Sequence, residues 1–338
     1  MILCITHSSD HYNIDIVHKR LKELGHEMYR FDSDRLGIDY LLDYELNDSL
    51  PRLCLKGPLG EIAVGQVKGV WYRKLWSLKK PEQIAPSYLE TYHRAYRTYR
   101  DIFFSYLSHL PWINDMNTDH AVGNNKLMQL EYAQACGLNV PRTIMTNDTA
   151  LVLKFYDECG GEVIMKLHNA LAQSMQRHDA FFPTTILRKE HLQDARGLRL
   201  CPMIFQQRIL KDYELRIVYV DGEIFTGKIQ VNQSGPGAVD WRASDPAEKG
   251  GGWQPYQLPA HVSDPIKKFM RSLQLSFGAI DMIRTTEGNY VFLEVNPQGE
   301  WGMLQRDLGY PIGETIAEKL INKIENAAEE DTHHHALK

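Results

Sequence analysis

The sequence predicts a mixed α/β protein, and three observations carry that prediction. Ile2–Thr6 is an apolar run ending in a polar Thr-His-Ser-Ser-Asp turn; Ile14, Ile16, Val17, Leu21 and Leu24 follow at helical spacing and Gly25 closes the helix. Residues 124–138 read as an amphipathic helix with Asn at its start and Gly137 at its stop, leading into the strand Val-Pro-Arg-Thr-Ile-Met-Thr. Near the end, two alternating runs at 279–284 and 290–297 flank the polar turn Thr-Thr-Glu-Gly-Asn, which is a hairpin pattern.

The remaining elements follow in order. Residues 26–31 read as a second strand, 53–67 as a polar strand pair and Gly69–Tyr72 as a further strand, so the first 110 or so residues form a small α/β layer. No GxGxxG follows the first strand, which argues against a dinucleotide site there. Residues 88–110 place Tyr92, Tyr96 and Tyr99 among His93, Arg94, Arg97 and Arg100. Aromatic and basic residues together fit single-stranded nucleic acid, but a core helix with its arginines outside explains them without a wider basic surplus. Pro111 marks a boundary. Further strands are expected at 163–167, 180–187 and 203–205. Residues 168–177 between them are small and polar and read as a loop that covers a ligand. Strands at 215–220 and 223–228 meet at an Asp221-Gly222 turn, residues 232–254 are rich in Gly and Ser, and the chain closes with helix, hairpin, loop and helix.

Composition excludes several functions. With 338 residues, 43% hydrophobic and 24% charged, the chain is in the globular range and long enough for two or three folding units. Thirty-eight Lys and Arg against 43 Asp and Glu leave a net charge of −5, which argues against phosphate-driven nucleic-acid binding. The first ten residues lack a signal-peptide pattern and no window is apolar enough to span a membrane. Five scattered cysteines without CxxC point to a reduced, cytoplasmic protein without structural zinc. The final residues, with three consecutive histidines, read as a frayed tail.

The hairpin carries the chemistry. A two-residue period puts Glu294 and Asn296 on one face and Val291, Leu293 and Val295 on the other, and folding back across the turn brings Asp281 to within about one residue of Glu294, where a one-residue slip would send it to the opposite face. Two carboxylates and an amide are hard oxygen donors suited to Mg²⁺, which keeps waters and accepts substrate phosphates as further ligands. The competing reading is a sheet with one wet face. Lys166 interrupts an apolar strand, where a buried ammonium calls for an anion. Lys126 lies in the first turn of its helix, against the macrodipole, and is expected to be favourable only with a phosphate bound there.

These residues sit in a recognisable series: THSSD with RFDSDRL (30–36), VWYRK (70–74), residues 124–148, VIMKLH (163–168), residues 205–225, VDWR (239–242) and FLEVNPQGEWGMLQRDLGYPI (292–312). From residue 125 to 299 the chain resembles the ATP-grasp superfamily, and over nearly its whole length it is similar to the graspetide, or microviridin-type, peptide macrocyclases. The resemblance implies an ATP-grasp fold in three parts: an N-terminal α/β pre-ATP-grasp domain at 1–115, a central part at 116–205 and a C-terminal part with the metal site at 206–328, before a flexible tail at 329–338. It implies that Asp281, Glu294 and Asn296 hold two Mg²⁺ ions. Lys126 and Lys166 contact ATP, Gln206 and Arg208 line the adenine, Glu214 takes the ribose and Arg216 points at phosphate. Arg242 grips the γ-phosphate or the acceptor carboxylate. Gln206 and Gln207 stand where many members carry a glutamate.

The implied reaction transfers the γ-phosphoryl group of ATP to an Asp or Glu side chain of a precursor peptide, and Arg216, Arg242 and Lys166 stabilise the charge that builds there. A Ser or Thr hydroxyl then closes an ω-ester, or a Lys amine an ω-amide, with the ester preferred. The partner is a peptide with leader and core segments, relatives are commonly homodimers, and neither nucleic acid nor membrane is expected. Asp240 is a guess at the general base. A ligase that adds glutamate to another acceptor and a nucleotide-binding scaffold without turnover are the alternatives.

Overall fold

The computed structural model describes residues 1–47, 52–168, 184–193, 196–230 and 252–336, with side chains described to residue 330. Four sheets are present among the described residues. In the first, β1 (Ile2–Thr6), β2 (Met28–Asp32), β6 (Gly69–Tyr72) and β7 (Trp112–Ile113) run parallel in the order β2-β1-β6-β7. Every residue of β1 is buried, because α1 (Tyr12–Glu23) covers one face with Ile14, Val17 and Leu21 while Phe103, Phe104 and Leu107, on or just beyond α2 (Leu89–Tyr106), serve the other. The aromatic and basic stretch is thus a core helix. The polar strand pair is part of a separate antiparallel sheet of β3 (Leu41–Glu45), β4 (Arg52–Gly57) and β5 (Gly60–Ala63). Strand β3 escapes the sequence reading because only Leu42 of its five residues is buried.

After α3 (Met116–Gly123) and α4 (Lys126–Ala135), the second antiparallel sheet takes β8 (Thr143–Thr146), β9 (Val163–Lys166), β10 (Thr185–Ile186) and β11 (Met203–Gln207) in the order β10-β9-β11-β8, with α5 (Thr149–Glu158) against it. Only Thr185 and Ile186 pair in the region expected to be a strand at 180–187, whose first four residues lie outside the described ones. The ligand-covering loop expected at 168–177 is described only at His168. Strand β11 carries this sheet to Gln207.

The largest sheet runs β14-β13-β12-β15-β16, built from β12 (Lys211–Val220), β13 (Glu223–Gln230), β14 (Gln254–Pro255), β15 (Phe277–Thr285) and β16 (Tyr290–Asn296). Asp221 and Gly222 both have positive φ, as a tight two-residue hairpin demands. One face, with Leu215, Ile217, Ile280, Met282, Phe292 and Val295, rests on α4 and α6 (Ala260–Ser272). On the other, Val218, Val220 and Phe277 join Ile2, Cys4, α1, Trp301, α7 (Gly302–Leu308) and α8 (Ile312–Ala336) in one buried cluster. The last helix therefore closes the N-terminal layer as well as its own. It continues to Ala336, into the stretch expected as a flexible tail at 329–338, because Ala-Ala-Glu-Glu favours continued helix.

Candidate active site

Three neighbouring strands place Arg216, Asp281 and Glu294 in one row, since Arg216 pairs in register with Asp281 and Asp281 with Glu294. Asp281 does meet Glu294, the outcome that the sequence places within about one residue, and a bulge brings it about. The hairpin's parity is not uniform, because β16 carries this bulge: Met282 faces Phe292 while Asp281 faces Glu294, leaving Leu293 extra. Phe292, not Leu293, therefore turns inward with Val295, its ring 5.0 Å from that of Phe269. The bulge sends Phe292 into the core while Glu294 keeps the face of Asp281. Asn296 follows opposite Ala279.

Each carboxylate of the row holds a cation. Arg216 Nη1 donates to Asp281 Oδ1 at 2.8 Å, and Lys126 Nζ donates to Glu294 Oε2 at 2.7 Å. Asn125 caps α4 by accepting from the Met128 amide at 3.0 Å, which puts Lys126 in the first helical position. Its unfavourable place against the helix dipole is offset by Glu294, so the expectation that only a bound phosphate makes it favourable is corrected. Asp281 and Glu294 stay 20% and 22% exposed, and Asn296 accepts from the Gln298 amide at 2.9 Å. Two carboxylates and an amide oxygen on one sheet edge fit a hard divalent cation. Among the described residues no group of three or more His, Cys, Asp or Glu side chains could hold a metal, so the donor set depends on Asn296.

The other expected residues are spread over the second sheet and its exit. Lys166 ends β9 opposite Ile204 of β11. His168, two residues on, titrates below the usual histidine range, chiefly through burial and next through the nearby charge of Lys126. Gln206 is buried and donates to Thr143 Oγ1 at 3.0 Å. Arg208 bonds Glu162 through its guanidinium at 3.2 Å and its amide at 2.9 Å, and Glu214 is paired with Lys211. Arg242 and Asp240 lie outside the described residues.

Sequence reasoning missed the loop after Asn296. Gln298 donates from Nε2 to Asp119 of α3 at 2.6 Å and accepts at its side chain from the Leu75 amide at 3.3 Å. Asn114 donates to the other oxygen of Asp119 at 3.5 Å. Burial pushes Asp119 up to about 7 against those two amides. Glu300 meets the end of β6 and the start of α1: Lys74 Nζ at 2.6 Å, Arg73 Nη2 at 2.7 Å and Asn13 Nδ2 at 3.0 Å. Burial would raise its carboxyl, but Arg73 and Lys74 overcome that and hold it at about 2. The available signal was Arg-Lys directly after the apolar Val-Trp-Tyr run, two cations at a strand end in want of anions.

Residues 1–120 match the family model described as the MvdD pre-ATP grasp domain. Among solved structures, the chain is similar to the macrocyclase MdnB from Microcystis aeruginosa MRC, at 34% identity and a TM-score of 0.81, over 95% of this chain and 98% of that one. It is also similar to MdnC of the same organism, solved bound with precursor peptide MdnA, at 30% identity and a TM-score of 0.82 over 95% and 99% of the two chains. A third is a Chryseobacterium gregarium RiPP-associated ATP-grasp ligase in complex with ADP and a leader and core peptide, at 26% identity and a TM-score of 0.85 over 95% and 96%. No curated protein matches the sequence.

Proposed function

The chain belongs to the ATP-grasp macrocyclase family represented by MdnB and MdnC, and from that premise we propose that it closes rings in a ribosomally made precursor peptide at the expense of ATP. A side-chain carboxylate of the peptide takes the γ-phosphoryl group and ADP leaves. A Ser or Thr hydroxyl, or a Lys amine, then attacks the carbonyl carbon of the acyl phosphate; phosphate departs with the C–O bond and the nucleophile's proton passes to solvent. Each ring removes one water from the peptide. The ester is the preferred product.

The observation that carries this reading is the row Arg216, Asp281, Glu294 with Asn296 beside it. Asp281, Glu294 and Asn296 would hold two Mg²⁺ ions, which supply charge neutralisation on the transferring phosphoryl oxygens. Arg216 and Lys126, each paired with a carboxylate of the row, are the two cations that would turn to a nucleotide's phosphates. Lys166 reaches the phosphates, Gln206, Arg208 and Glu214 bind the rest of ATP, and Arg242 grips the γ-phosphate or the acceptor carboxylate. The three-part division at 1–115, 116–205 and 206–328, a leader segment bound away from the row, a homodimer and a cytoplasmic setting complete the proposal.

The test is intact-mass measurement of a candidate precursor peptide, one encoded beside this chain, incubated with the protein, ATP and Mg²⁺. Loss of one water per ring, abolished by Glu294→Gln or Asp281→Asn in variants that still unfold cooperatively, supports it. Undiminished water loss in those variants defeats the site assignment. Addition of glutamate to an acceptor in place of water loss selects the glutamate-ligase reading, and nucleotide binding without ADP release selects the scaffold.

A further inference from the structure

Glu300 faces two ways, with different atoms. Its main-chain carbonyl accepts from Nε and Nη2 of Arg216, at 3.2 and 2.9 Å, while Nη1 of the same guanidinium donates to Asp281. Its carboxylate is turned the other way, onto the N-terminal layer, where Oε2 takes Arg73 and Asn13 and Oε1 takes Lys74. Arg73 is buried, 3.3 Å from Asp10, and donates Nη1 to the Gln298 carbonyl at 3.1 Å, so this anchor is rigid. A guanidinium presents its N–H groups in one fixed plane, and once two of them share a carbonyl oxygen the direction of the remaining nitrogen is set.

We propose that Glu300 is a positioning residue: held by Arg73, Lys74 and Asn13, it fixes its own carbonyl and thereby aims Arg216 at Asp281, so the N-terminal layer sets the geometry of a site formed on the C-terminal sheet. Gly299 makes the approach possible. A Cβ there would stand 2.3 Å from Ala279 Cβ and 3.0 Å from Arg216 Nη2, so any side chain would lift the loop off the guanidinium. The role in turnover rests on the macrocyclase reading above; the aim of Arg216 does not.

The direct readout is the Nε–H resonance of Arg216 in the full chain, identified by its absence in Arg216→Lys. Glu300→Gln turns one oxygen into an amide facing a cation, and solvent exchange at Nε–H should quicken at least about tenfold. Asn13→Ala, which removes one donor and leaves both cations paired, should quicken it less, and it serves if Glu300→Gln does not fold. With the precursor peptide, Glu300→Gln should lower kcat for water loss at least about tenfold and leave KM for ATP within about threefold. In an Arg216→Lys background the same change should cost less than about twofold, because its target is gone. Unchanged exchange in both variants, or losses that multiply in the double variant, overturn the inference. A wild-type chain that never removes water from the peptide sinks the macrocyclase reading instead, and the exchange test stands without it.

Discussion

The loop at 297–301 is gripped by two carboxylates in opposite surroundings. Asp119 sits among amides, buried with Gln298 and Asn114, and burial raises it to about 7. Glu300 sits among cations, and although burial works against ionisation, Arg73 and Lys74 bring it to about 2. Both accept hydrogen bonds, so hydrogen bonding alone does not decide the charge of an acid that burial disfavours, whether closed in like Asp119 or half-buried like Glu300; a formal positive partner does. The pH signs are opposite. Asp119 binds a proton more tightly folded than unfolded, so its contribution falls as pH rises from about 4 to about 7. Glu300 stabilises fully above the unfolded carboxylate value of 4.5, and that contribution is lost as pH drops toward about 2.

The largest effect that tests this contrast is Arg73→Met. It removes the buried cation that faces both Asp10 and Glu300, and stranding buried charge costs about 3–5 kcal/mol. Urea unfolding near neutral pH measures it, and a loss below about 1 kcal/mol would break the comparison. Asp119→Asn should act the other way. The amide keeps an oxygen for Gln298 and sheds the charge, so stability at about pH 8 should rise by about 1–2 kcal/mol and the gain should shrink steadily below about pH 7 and vanish near pH 4. Thermal melts of both proteins across that window give the answer; a constant offset at every pH would mean Asp119 is not the titrating group.

The sequence was most informative where one short segment decides the geometry. The hairpin follows from alternation across a five-residue turn, and the Asp221-Gly222 turn from dipeptide chemistry, but counting back from the Arg284–Tyr290 pair sets Asp281 opposite Leu293, and the bulge moves it to Glu294. The bulge at Leu293 was not legible, since Val-Phe-Leu-Glu-Val alternates equally well without it. Strand β7 and helix α3 were missed because two residues and eight are too short to show a period. The site's cation partners were out of reach for another reason. Lys126 meets Glu294 across 168 residues and Arg73 meets Glu300 across 227, and no local pattern encodes which helix start or strand end arrives there. Lys126 was noticed as misplaced, which was a sound reading of the dipole, but the compensating anion came from the protein itself.

A third pair sharpens the contrast by holding the chemistry fixed and exposing the cation, since the Arg73 side chain is 1% exposed and the two acids are similarly open, Glu300 at 46%. Arg35 grips Asp39 through both Nε and Nη2, at 2.6 and 2.9 Å, four residues apart across a turn, with the side chains 28% and 41% exposed. The hydrogen bonds from Arg35 lower the Asp39 carboxyl, so whatever the pair contributes is present above 3.8 and fades as pH falls. Water already solvates both groups, and forming the pair exchanges one good environment for another at the cost of side-chain freedom. Arg35→Ala should therefore cost only about 0.5 kcal/mol in urea unfolding. Raising NaCl to about 0.5 M, where screening acts within a few ångströms, should erase most of that loss and leave the Arg73→Met loss nearly intact. Equal salt sensitivity in the two variants would mean that water reaches Arg73, and the distinction drawn between its surroundings and those of Asp119 would then rest on charge alone, without burial.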